Sequence, residues 1–131
     1  MRTTEESIQH ALETIRTLSG FEHVRFIILY GSVAEGRATE TSDIDLCICY
    51  DGTREEGGEF RFLALSELCD DLYDIQIFGN LPLYVQKEVL RGRVLYCPNE
   101  RFLYDTALQT IRDYDDFKHR LDDYLGIRMI G

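Results

Sequence analysis

Basic residues are scarce in this chain: 14 Lys and Arg face 24 Asp and Glu, for a formal charge of −10. Nucleic-acid binders need a basic face to displace counterions from phosphates, so this balance argues against DNA or RNA as a direct partner. It leaves a basic protein partner open. Long apolar runs are missing too. No stretch approaches the length of a membrane span, and Met1-Arg2-Thr3-Thr4-Glu5-Glu6 has no signal-peptide character, so a cytoplasmic protein is expected. The four cysteines include no Cys-x-x-Cys pair and no Cys/His cluster, which argues against zinc. Cys47 and Cys49 share one side of an apolar strand, while Cys69 and Cys97 are isolated in apolar surroundings. All four read as buried, reduced thiols. His10, His23 and His119 are scattered, and none adjoins a candidate site, so histidine catalysis has no support. Internal repeats and low-complexity segments are also absent. What remains is 131 residues, 44% hydrophobic and 29% charged, a balance that suits one globular domain able to bury a core without disulfides or structural metal.

Two stretches organise the rest. Phe26-Ile27-Ile28-Leu29-Tyr30 is an apolar, β-favouring run that stops abruptly at Gly31-Ser32, and ten residues later Asp43-Ile44-Asp45-Leu46 opens a second apolar run. Side chains alternate faces along a strand, so Asp43 and Asp45 project together while Ile44 and Leu46 point the other way. Two carboxylates on one side repel unless a cation lies between them. Mg²⁺ is hard, takes oxygen ligands and is commonly held by one or two carboxylates with substrate phosphates completing its shell. The pair therefore points to phosphoryl or nucleotidyl transfer. Gly31 lets the backbone approach a phosphate closely, exposed N–H groups at the start of a following helix favour an anion, and Ser32 adds a hydroxyl donor. Alone, an Asp-x-Asp is commonly a solvated strand end and a Gly-Ser only a turn; together, at this spacing and after an apolar strand, they are far more specific.

Gly31-Ser32, ten residues and then Asp43-Ile44-Asp45 resembles the signature of the polymerase β-like nucleotidyltransferase superfamily, and the short chain is similar to its minimal nucleotidyltransferase (MNT) branch. The resemblance runs from the first strand to about Tyr96, with Gly31 to Asp45 as its specific part. It implies transfer of a nucleoside monophosphate from a nucleoside triphosphate, with two Mg²⁺ ions and three carboxylates. Relatives place their third acid on the strand after the next helix. There Leu72-Tyr73-Asp74-Ile75-Gln76-Ile77-Phe78 alternates, with Asp74 and Gln76 on one face and Ile75 and Ile77 on the other. Asp74 is thus the third acid, as general base toward the acceptor or as ligand of the second metal, with Asp70 and Asp71 at the preceding helix end as competitors. Many relatives carry an arginine where this chain has Glu35. A basic residue returns at Arg37, which joins Gly31 and Ser32 as a candidate for the triphosphate.

Around these residues the pattern predicts an α/β fold: a small mixed sheet of about four strands with packed helices, similar to the palm-like core of the superfamily. Apolar spacing predicts a helix from Thr4 to Leu18, a strand from Val24 to Tyr30 covered on both faces, a short helix over Val33 to Arg37 and a polar loop from Ala38 to Ser42. A second strand spans Asp43 to Tyr50. Asp51 to Gly58, rich in glycine and charge, reads as an exposed loop, and Glu59 to Asp71 as a helix. Pro82 opens a helix to about Arg91, and Arg93 to Cys97 forms a last strand. Arg91 or Arg93 can contact phosphate, although surface arginines beside a helix end are the simpler reading. Finally, Asn99 to Leu125 forms a long amphipathic helix with Leu103, Ala107, Ile111, Tyr114, Phe117, Leu121 and Tyr124 along one stripe, enough apolar surface to cover the sheet and contact a partner. The expected organisation is a single domain over 1–131, with a catalytic core at 1–98 and the helical remainder at 99–131.

By resemblance, chains of this size serve as antitoxins paired with HEPN-domain RNase toxins. The implied activity is Mg²⁺-dependent transfer of AMP from ATP to a tyrosine hydroxyl of such a toxin. Two alternatives stay open: a non-catalytic antitoxin that masks its partner, and a nucleotidyltransferase acting on a small hydroxylated molecule.

Overall fold

Four strands form one mixed sheet in the order β3-β2-β1-β4. The computed structural model describes residues 2–36 and 43–126. Arg37 and the expected polar loop from Ala38 to Ser42 lie outside the described residues. β1 (Val24–Tyr30) runs antiparallel to both β2 (Ile44–Tyr50) and β4 (Arg93–Tyr96), while β3 (Tyr73–Ile77) runs parallel to β2.

The central strand shows why the sheet needs cover on both sides. Ile27 and Leu29 point into one cluster with Leu46, Ile48, Ile75 and Ile77, closed by Ile8, Ala11 and Ile15 of α1 (Thr4–Arg16) and Phe60, Ala64 and Leu68 of α3 (Arg54–Leu68). Phe26 and Ile28 point the opposite way, into a smaller cluster with Cys47, Phe78 and Val89. α4 (Leu83–Val89) and the start of α5 (Glu100–Leu125) close that second cluster with Val85, Phe102 and Leu103. Alternation along β1 thus feeds two cores, as the unbroken apolar run implies. The Tyr73 hydroxyl donates to the Ser7 carbonyl at 2.7 Å, tying the edge strand to α1.

Most expected elements stand within a few residues of their positions, and three points differ. The segment read as an exposed loop, Asp51 to Gly58, is mostly the first turn of α3, because Thr53 and Glu56 form a reciprocal capping box that satisfies the free N–H groups there. Gly57 is buried inside that turn; a Cβ on it would meet Ile77 Cγ2 at 3.2 Å, so glycine allows the helix to lie close on β3. The short helix α2 (Gly31–Ala34) starts earlier than Val33. Among the cysteines only Cys47 is fully buried, and Cys69 is exposed in the left-handed conformation that ends α3. Burial holds the Cys47 thiol up and pushes Cys49 up to about 11, so both are protonated at neutral pH.

α5 begins as expected, with the Asn99 side chain accepting from the Phe102 N–H at 3.1 Å. Its first half packs on α4, where the Lys87 ammonium lies 4.3 Å from the Tyr114 ring centre. The second half leaves its apolar stripe in solvent: Phe117 is 53% exposed, Leu121 42% and Tyr124 88%. Among the described residues no helix is long and apolar enough to cross a membrane.

Candidate active site

The site lies where β1 ends and β2 begins. Tyr30, the last residue of β1, pairs with Asp45, and Asp45 pairs across the parallel ladder with Asp74. Residues in register leave a sheet on the same face, so Tyr30, Asp45 and Asp74 stand in a row on the side that also carries Ile28, Cys47 and Gln76. The ladder reaches one residue further, since the Ile44 N–H donates to the Leu72 carbonyl at 2.8 Å. This bond fixes the start of β2, and with it the exposed Asp43 immediately before the strand.

Electrostatics record the crowding of acids. Burial, followed by the charges of Asp74 and Asp43, pushes the Asp45 carboxyl above its ordinary value. The neighbouring Tyr30 hydroxyl is also driven up, first by burial and then by the charges of Cys47, Asp74 and Asp45. All three sequence-derived acids therefore act on one place. The competitors do not share that register. Asp70 Oδ1 accepts from the Leu72 N–H at 2.9 Å in the turn entering β3, and Asp71 is exposed beside it.

Gly31 has a reason beyond the one read from sequence. Its φ of +76° belongs to the left-handed region, and a Cβ there would overlap Asp45 Oδ2. Glycine thus makes room for the carboxylate. Ser32 follows, half-buried, in the single turn of α2. Arg93, one of the two arginines considered for phosphate, is held instead by Glu5 at 2.6 Å. Two residues of the site were missed by sequence reasoning: Tyr30, which alternation along β1 could have placed beside Asp45, and Gln76, whose Nε2 donates to Asp74 Oδ1 at 3.0 Å.

Asp43, Asp45 and Asp74 offer only oxygen donors and up to three negative charges, the chemistry of a hard divalent cation. Among the described residues no three His, Cys, Asp or Glu side chains converge tightly enough to enclose a metal ion.

The architecture and this site are those of a nucleotidyltransferase. The chain matches the Polymerase beta, Nucleotidyltransferase family over residues 13–101 and belongs to it. It is similar to "Putative protein adenylyltransferase MJ1547" of Methanocaldococcus jannaschii, 30% identical over 95 residues that cover 72% of this chain and 73% of that protein. Among solved structures it shares its fold with a toxin-antitoxin complex crystallised with AMP-PNP (TM-score 0.69, 19% identity, 95% of this chain and 97% of that one). A second is the complex of a tri-AMPylated Shewanella oneidensis HEPN toxin with an MNT antitoxin (TM-score 0.66, 17% identity, 92% and 96%). A third is the toxin-antitoxin MntA-HepT (TM-score 0.68, 16% identity, 94% and 97%).

Proposed function

We propose that this chain is an antitoxin of the MNT type that transfers AMP from ATP to a tyrosine hydroxyl of a HEPN-type toxin in the cytoplasm. The observation that carries the reading is the register of Asp45 with Asp74 beside Gly31, which sets two carboxylates next to a glycine turn at one strand end. The names of its relatives supply the acceptor class: a protein adenylyltransferase and an AMPylated toxin held by its antitoxin.

In this reading Gly31 and Ser32 hold the triphosphate by backbone and hydroxyl, with Arg37 as a further candidate contact. Asp43, Asp45 and Asp74 would hold two Mg²⁺ ions, which when bound neutralise the triphosphate and lower the pKa of the acceptor hydroxyl. Asp74 accepts the hydroxyl proton as that oxygen attacks the α-phosphorus in line. The new bond joins tyrosine oxygen to the α-phosphorus, the bond to the bridging oxygen breaks, and pyrophosphate leaves. Positioning the two reactants accounts for much of the acceleration. Residues 1–98 serve as the catalytic core, and the helix from Glu100 docks the partner.

The exposed stripe on α5 is the proposed docking surface. Phe117→Ala with Leu121→Ala is expected to weaken toxin binding by on the order of 10-fold or more, measured by calorimetry, because both truncations remove apolar area that a docked partner would take out of water.

Incubation with α-labelled ATP, Mg²⁺ and the toxin encoded in the adjoining reading frame tests the whole reading. Label on a toxin tyrosine supports it. A tight complex without label favours masking, and label passing only to a small hydroxylated compound favours the third role.

A further inference from the structure

Gln76 stands two residues beyond Asp74 on β3 and leaves the sheet on the same face. Its register partner on β2 is Cys47, fully buried, and the next residue on its own face is the buried Phe78. A position between a buried thiol and a phenylalanine suits a valine or leucine. A half-buried amide there must offset its desolvation with hydrogen bonds. It makes one into the site, donating from Nε2 to Asp74 Oδ1 at 3.0 Å. An ionised carboxylate can only accept, so the amide nitrogen is the end that faces it.

We propose that Gln76 is a positioning residue for AMP transfer: it anchors Asp74 by Oδ1 and so presents Oδ2 to the metal ion. The inference rests on the reading of Asp74 given above. The physical need is plain. Asp45 and Asp74 face one another across the ladder and repel, so a hydrogen bond that fixes one oxygen of Asp74 counters that push. Carboxylates that bind metal are themselves usually held by a hydrogen bond, and loss of such a partner typically costs about 10–100-fold in affinity or activity.

Gln76→Leu keeps the volume and removes the donor. The expected result is a kcat lower by about 10–100-fold, with KM for ATP at saturating Mg²⁺ close to wild type, because Gly31 and Ser32 still hold the triphosphate. Calorimetry should show weaker Mg²⁺ binding, with an unchanged circular dichroism spectrum. Gln76→Met, unbranched and of similar length, provides a second donor-free variant and should match it. A residue that acts only through Asp74 adds nothing once that carboxylate is gone, so Asp74→Asn/Gln76→Leu should be no slower than Asp74→Asn alone. Wild-type kcat and Mg²⁺ affinity in the donor-free variants would overturn the proposal, as would a further loss in the double variant. Should the wild-type chain transfer no AMP at all, the functional reading falls, yet Mg²⁺ titration of wild type against Gln76→Leu still decides the anchoring role: equal affinities reject it and a weakened affinity supports it.

Discussion

Asp45→Asn is expected to slow AMP transfer by on the order of 10³-fold or more while making the metal-free protein more stable. Both effects come from one cause. Asp45 is the middle member of the row, pressed by burial and by the charges of Asp74 and Asp43, and ionising it in the folded chain is therefore unfavourable. Asparagine has the same shape without the charge. The gain in stability should be on the order of 1 kcal/mol, the usual size of a stabilising substitution at a functional position. The sign of its pH dependence follows from the raised pKa. In acid, Asp45 is protonated in folded and unfolded chains alike and asparagine confers no advantage. As pH rises past the unfolded and then the folded pKa, the wild type loses stability and the advantage of asparagine reaches its full size at neutral pH. Denaturant melts of both proteins at acid and neutral pH, without metal, measure the difference. Adding Mg²⁺ should narrow it, because a ion bound to the folded wild type stabilises that state. Equal stabilities at every pH, together with normal transfer by Asp45→Asn, would remove Asp45 from the site.

Gly31→Ala is expected to damage both fold and activity from a change of one methyl group. A non-glycine residue at φ +76° costs about 1–2 kcal/mol of backbone strain. The new methyl would also overlap Asp45 Oδ2, so either the carboxylate turns out of its register with Asp74 or the turn at α2 shifts. Misplacing a reacting group by about 1 Å can cost around 10²-fold, and a loss of that order in kcat is expected. Ser32→Ala provides the contrast, since it removes a donor without moving Asp45. The two variants should differ clearly in thermal midpoint, with Ser32→Ala close to wild type. A Gly31→Ala protein with normal midpoint and normal turnover would show that the strand end has more room than this geometry allows.

Strand periodicity made most of this legible before any coordinates. The unbroken run from Val24 to Tyr30 marked a strand covered on both faces, and it feeds two separate cores. Alternation in Tyr73 to Ile77 put Asp74 and Gln76 on one face, but that face also covers the second apolar cluster, and the register with Asp45 is fixed by the ladder. The misreadings have physical reasons. Glycines at 57 and 58 outweighed the capping pair Thr53 and Glu56, although Gly57 is there for close packing against Ile77 rather than for a loop. Cys69 follows the apolar Leu68 but precedes Asp70 and Asp71, and it ends α3 exposed in the left-handed conformation. The contact between Gly31 and Asp45 joins residues on different elements, so local pattern carries no trace of it, whereas the bond from Gln76 to Asp74 links two residues that alternation had already put on one face.

Among the described residues β3 is an edge strand, paired only with β2, and it carries Asp74. Arg61 of α3 reaches across to donate from Nε to the Ile75 carbonyl at 2.5 Å, one residue from that acid. Tyr73, Ile75 and Ile77 of the same strand are nevertheless buried in the main core beneath α3, so the margin that holds Asp74 opens only as that core opens. Loss of AMP transfer on warming should therefore coincide with loss of the fold rather than precede it.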